Sequence, residues 1–271
     1  MRSYVMAGAV IVLGLAGPAR AQNNPAPPAS VTFPGSLNMS VAGGEPTEPG
    51  NVTSSTSVEQ GVTVRRTGSL FVVGYINLSY RADSSGYDWN NTRPYRTGIK
   101  LVHLDSHGVF EASAGIMGED RGQFAAARAT TMLSYWRGWR GDALSGSASR
   151  LRANAFPGSA YAVSGYLTSR EPRNWITAAV VEQGAKVYSR AAIAVIPFIR
   201  VGSGTDTDGH PWNNRSRFDA GLKISRTISG GVIEAGVAHR QSYVRSSREL
   251  TPSTVAFVNL WMGWTPRVII Q

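Results

Sequence analysis

The chain has 271 residues, with 27 basic against 17 acidic side chains, a formal net charge of +10 and no cysteine. The missing cysteine excludes the disulfide scaffolds of small secreted proteins. After the first residues no run approaches the ~20 apolar residues of a spanning helix, which excludes a helical anchor in the mature chain.

The N-terminus carries Arg2, an apolar stretch over Val5–Leu15 and the small-x-small triplet Ala19-Arg20-Ala21. That order is a secretory signal peptide over 1–21, cleaved before Gln22. Losing Arg2 and Arg20 lowers the charge from +10 to +8. Residues 22–32 begin QNNPAPPAS, an extended Pro/Ala-rich leader without a fold of its own. Export makes nucleic acid an unexpected partner. All the basic residues but Lys100, Lys186 and Lys223 are Arg, which suits an anionic partner such as lipopolysaccharide phosphates, an acidic solute or a polysaccharide.

From Phe33 the chain writes itself twice. FPGS at Phe33 returns at Phe156, Glu48-Pro49-x-Asn51 as Glu171-Pro172-x-Asn174, VEQG at Val58 as VEQG at Val181, and Trp89-Asn-Asn as Trp212-Asn-Asn. All four lie 123 positions apart, which predicts two tandem units, 33–155 and 156–271. Apolar and polar residues alternate within each unit. In 69–80, Leu70, Val72, Ile76 and Leu78 share one face, while Ser69, Asn77 and Ser79 share the other. The same phase places strands at about 35–42, 54–65, 69–81, 95–104, 108–118 and 129–139, and then at 159–166, 176–188, 191–203, 216–226, 230–240 and 254–264. Short turns such as Arg66-Thr67-Gly68 and Asp105-Ser106-His107 alternate with longer polar loops.

In this pattern the chain resembles the Gram-negative outer-membrane β-barrels as a class, over Phe33 to Trp264. The resemblance implies an all-β fold, a transmembrane antiparallel β-barrel of about twelve strands built from two six-stranded repeats, with short periplasmic turns and long external loops. Two soluble β-sandwiches in tandem are the alternative architecture.

Period two also says where the repeated ions point. Lys100 lies opposite in phase to Ile99 and Leu101, and Glu111 opposite to Phe110 and Ala112. A basic side chain facing lipid costs about 2–4 kcal/mol at the midplane, so these charges belong in the lumen. A hairpin centred between Asp105 and Ser106 sets Lys100 directly across from Glu111, and by the same count Lys223 across from Glu234. Each pair is either a register-fixing ion pair or a charged station on a solute path. Glu59, Glu182, Arg96 and Arg200 extend the expected lumen lining.

Trp136, Trp139, Trp261 and Trp264 are expected as a periplasmic aromatic girdle, with a sugar-stacking platform as the sharper alternative. External-loop candidates are Asp83, Asp88, Trp89, Asn90 and Asn91 in the first unit, and Asp206, Asp208, Trp212, Asn213 and Asn214 in the second. The Asp206-Thr-Asp-Gly run lacks the bidentate Glu of a calcium loop, and turn formation accounts for it, so no metal is expected. The crowding of His103, Asp105, Ser106 and His107 on one turn cannot set nucleophile, base and orienter in line. No enzyme and no cofactor are expected. The sequence thus points to an outer-membrane, porin-like transport protein, a small channel for anionic solutes or oligosaccharides. The alternatives are a non-conducting structural or accessory barrel linked to surface-polysaccharide export, and a secreted soluble β-sandwich binding protein.

Overall fold

The structure is a computed structural model, and it describes residues 30–44, 50–86, 91–106, 108–120, 127–139, 156–167 and 173–269. The expected signal peptide and most of the expected leader lie outside these residues, as do residues 140–155, Asp88, Trp89, Asn90 and His107.

Every regular element among the described residues is a strand. In chain order these are β1 (Ser30–Thr32), β2 (Gly35–Gly43), β3 (Val52–Thr67), β4 (Leu70–Asp83), β5 (Arg93–Leu104), β6 (Val109–Asp120), β7 (Arg128–Trp139) and β8 (Gly158–Gly165). They continue with β9 (Ile176–Gly184), β10 (Tyr188–Arg190), β11 (Ile193–Asp206), β12 (Arg215–Ile228), β13 (Gly231–Val244), β14 (Glu249–Trp264) and β15 (Arg267–Ile269). Each strand from β2 to β14 pairs antiparallel with its chain neighbour, except that β9 and β10 both pair with β11, and β14 returns to β2, so the sheet closes. Closure leaves no long strand of the barrel with a free edge. One closed sheet excludes the pair of soluble sandwiches.

β9 and β10 together fill one strand position, which makes twelve around the barrel. The single strand expected over 176–188 is broken because β11 carries Pro197 opposite the break, and proline has no N–H for the ladder. Gly184 pairs with Phe198 but Tyr188 with Val195, so one extra residue bulges between them. The small β1/β15 sheet ties the two chain ends together at the short-turn end, where Phe33 N–H donates to Pro266 O at 3.0 Å.

Exposure alternates along the strands as the sequence demands. Leu78, Ile99, Leu101, Ile199, Val201, Leu222, Ile224, Val237 and Val258 stand exposed on the outer wall, while Glu59, Lys100, Glu111, Asp219, Lys223 and Arg240 are buried inside. Apolar side chains out and ions in is the inverse of a soluble protein, and it is stable only when the outer solvent is hydrocarbon. Single-chain barrels of this kind with an even strand number belong to bacterial outer membranes.

The hairpins carry one correction. Leu104 pairs with Val109 and Ile228 with Gly231, so Lys100 faces Ser113 and Glu111 faces Val102, while Lys223 faces Gly236 and Glu234 faces Ser225. Each turn is centred one residue later than the spacing suggested. In the first, the Asp105 carboxylate accepts the Gly108 N–H at 2.6 Å and fixes a four-residue loop. In the second, Gly230 takes φ 73°, the left-handed conformation that glycine adopts without steric cost. A shift of two in pairing leaves every side chain on its expected face.

The tryptophans carry another correction. Trp139 and Trp264 are on the outer phase, but Trp136 and Trp261 are on the inner one, since residues three apart on a strand face opposite ways. Trp136 packs inside against the buried cluster of Val73, Val102 and Val109. Trp136 and Trp261 are therefore not girdle residues. Trp139 and Trp264 each lie over a cross-strand glycine, Gly158 and Gly35.

Candidate functional site: two interior ion clusters and the loop locks above them

The inner face of β5 brings Lys100 between carboxylates of two strands. Its Nζ bonds Glu59 on β3 and lies 3.1 Å from Glu111 Oε1 on β6. The Lys100–Glu111 contact is diagonal, which a long side chain spans easily, since diagonal Cβ atoms sit about 7–8 Å apart. Glu59 reaches the same ammonium across the whole width of β4. Lys100 is 3 % exposed, and its Nζ also lies 5.4 Å from the centre of the Tyr75 ring.

The corresponding positions 123 residues on make the same arrangement. Lys223 on β12 lies 2.6 Å from Glu182 on β9 and 2.7 Å from Glu234 on β13, with the Phe198 ring 5.6 Å away in the place of Tyr75. Here the cluster continues. Arg200 on β11 donates to Glu182 at 2.5 Å and approaches Asp219 at 3.6 Å, and Arg240 grips Asp219 with two bonds of 2.8 and 2.9 Å. The Arg200 guanidinium lies over both Phe198 and Phe257. Six ions alternate in sign from Glu234 to Arg240 and sum to zero.

Arg96, one of the expected lining residues, also faces inward, but it meets no such chain. It pairs across strands with Asn77 and Met117, and its Nη1 contacts Met132 Sδ at 3.0 Å. Asp219 and Arg240 were not among the sequence candidates. Their phase, identical to that of Lys223 and Glu234, was the available signal.

At the long-loop end, Asp206 explains why Trp-Asn-Asn is repeated. Its Oδ2 accepts from Asn174 Nδ2 at 2.9 Å and Asn213 Nδ2 at 2.6 Å, and its Oδ1 from Asn214 Nδ2 at 2.7 Å and the His210 N–H at 3.0 Å. Burial works to raise the Asp206 pKa, but the donors of Asn174, Asn213, Asn214 and His210 outweigh it and hold the carboxyl below its ordinary value. Asn174 comes from the neighbouring loop, is 0 % exposed, and also accepts from Thr207 Oγ1 and the Asp208 N–H at 3.3 Å each. A carboxylate filled by four N–H groups acts as a lock between loops. Asp83 repeats it with Asn51 at 3.3 Å and Asn91 at 3.2 Å. Trp212 stacks on His210 at 4.4 Å, and Asp208 lies 3.8 Å from the same imidazole. The Asn51 and Asn174 partners escaped the sequence reading, although Glu-Pro-x-Asn recurs at the same offset as Trp-Asn-Asn.

On the Asp105 turn, His103 is exposed on the outer face, with Nδ1 3.3 Å from Ser69 Oγ, and Asp105 is taken up by Gly108.

No protein-family model matches the chain, and no curated protein matches it significantly. Solved structures similar to it include an outer membrane channel from Pseudomonas putida F1 (7 % identity, 92 % of this chain and 100 % of that one, TM-score 0.44). Others are the β domain of the Bordetella autotransporter BrkA (11 %, 85 % and 98 %, 0.37) and LpxR from Salmonella typhimurium (8 %, 84 % and 99 %, 0.36). Likeness at this level transfers no activity to the chain.

Proposed function

We propose that this chain is an outer-membrane barrel braced across its interior, a structural or accessory barrel that does not conduct freely. One observation carries this reading: the central lysines of both ion clusters are buried, Lys100 at 3 % and Lys223 at 6 % exposure. Ions lining an open aqueous pore would be wetted. Here each ammonium is shared between two carboxylates, in the geometry that makes a buried ion worth keeping. A barrel of this size surrounds a lumen that such side chains can fill. Purified protein in planar bilayers should then give no steady conductance steps. Reproducible open-channel currents would sink the proposal.

A second reading is a narrow channel for small anionic solutes or acidic oligosaccharides. The inward-facing arginines of the loop-side half, Arg81, Arg96, Arg217 and Arg240, favour it. Under this reading any current is anion-selective, and R96Q and R200Q lower that selectivity.

A further inference from the structure

We propose that Arg96 is the centre of a binding site for a small oxyanion, a carboxylate or a phosphate, inside the first half of the barrel. The case rests on a difference between two otherwise matching halves. Above the lysine cluster in the second half, the row Arg200, Asp219, Arg240 runs across β11, β12 and β13, and the protein's own carboxylate sits between two guanidinium groups. The equivalent row in the first half is Asn77, Arg96, Met117 across β4, β5 and β6. Both flanking cations are gone, and an arginine stands in the place of the carboxylate with neutral Asn77 and Met117 on either side.

Arg96 bonds no carboxylate among the described residues. Among the described residues its one hydrogen-bonded partner is the Met132 thioether, a weak acceptor, and its Nε is buried without a partner. Next to it on the inner face, Tyr75 is 6 % exposed and buries a hydroxyl, close to Ser113, that makes no well-formed hydrogen bond among the described residues. Tyr161 of β8 lies within electrostatic reach of the same guanidinium. A buried guanidinium edge and a buried hydroxyl without a well-formed bond are both donors, and leaving them empty is costly. A carboxylate or phosphate oxygen supplies the missing acceptor, in the planar forked geometry that arginine favours. The site does not depend on whether the barrel conducts.

The test is the unfolding midpoint of the detergent-solubilised barrel, followed by heat-modifiable gel migration, in sodium chloride, acetate or phosphate at fixed pH and ionic strength. Wild type should gain about 2–4 °C in acetate, in phosphate or in both, at several times the dissociation constant. The arm that stabilises says which oxyanion the site takes. R96Q should lose the gain. M117D places a carboxylate in the register position that pairs with Arg96, so it should fold with a midpoint indifferent to the anion. A wild-type midpoint equal in all three salts overturns the site, because Arg96 then only offsets the surplus negative charge of Glu59 and Glu111. An equal gain in wild type and in both variants overturns it too.

Discussion

Trp264 donates its indole N–H to Gln60 Oε1 at 3.0 Å, across the intervening strand β2, and so joins the last long strand of the chain to the second long one. Trp139 makes the matching bond to Gln183 at 2.9 Å across β8. The bond is possible because the crossed residues are Gly35 and Gly158. A Cβ on Gly35 would stand 2.3 Å from the Trp264 Nε1, and one on Gly158 2.4 Å from the Trp139 ring.

Gly35→Ala should therefore lift Trp264 off the wall and break its bond, costing about 1–2 kcal/mol. Heat-modifiable migration would report this as a lower transition temperature. Trp264→Phe should cost a similar amount, and the double variant little more than either alone. Full additivity would show that the two positions are uncoupled.

The lysine clusters predict strong non-additivity. Lys100→Met leaves Glu59 and Glu111 buried side by side without their cation, and should destabilise the barrel by about 3–5 kcal/mol in urea titrations. Adding Glu59→Gln and Glu111→Gln to that background should recover most of the loss, because a neutral interior carries no unpaired charge. Failure of the triple variant to recover would mean that packing, rather than charge, sets the cost.

The faces of the tryptophans can be separated by lipid-borne quenchers. In variants retaining one tryptophan, brominated lipid should quench Trp139 and Trp264 strongly, and Trp136 and Trp261 weakly. Equal quenching of Trp136 and Trp139 would contradict the inward placement of Trp136.

Asp206 gives a pH dependence with a definite sign. A carboxyl held below its ordinary value stabilises the folded loops while it is ionised, so its contribution is complete above that ordinary value of 3.8 and is lost as pH falls through the lowered one. Protection of the loop amides from hydrogen exchange should stay constant from neutral pH down to about 3.8 and decline only below it. Asp206→Asn should remove that acid step and loosen the loop at neutral pH.

Much of the barrel is legible from local pattern. The twelve strand positions follow from alternation, and the faces of Lys100, Glu111, Lys223 and Glu234 follow from parity alone. The same parity, applied to Trp136 and Trp139, already separates them, and grouping them by shared strand end obscures it. The ion clusters are less legible. Lys100 and Glu59 are 41 positions apart, and nothing local says that the side chains meet over β4.

The sequence by itself determined strand number, face and order of connection, because these depend on a period-two choice between lipid and the interior that each strand makes separately. The tertiary structure decided the register, the split of the strand before β11 and the partners of each ion. A slip of two residues changes no side chain's face and so leaves no trace in the pattern. It is fixed only when turns such as Asp105 with Gly108, and the closing contact of β14 with β2, set all the strands at once.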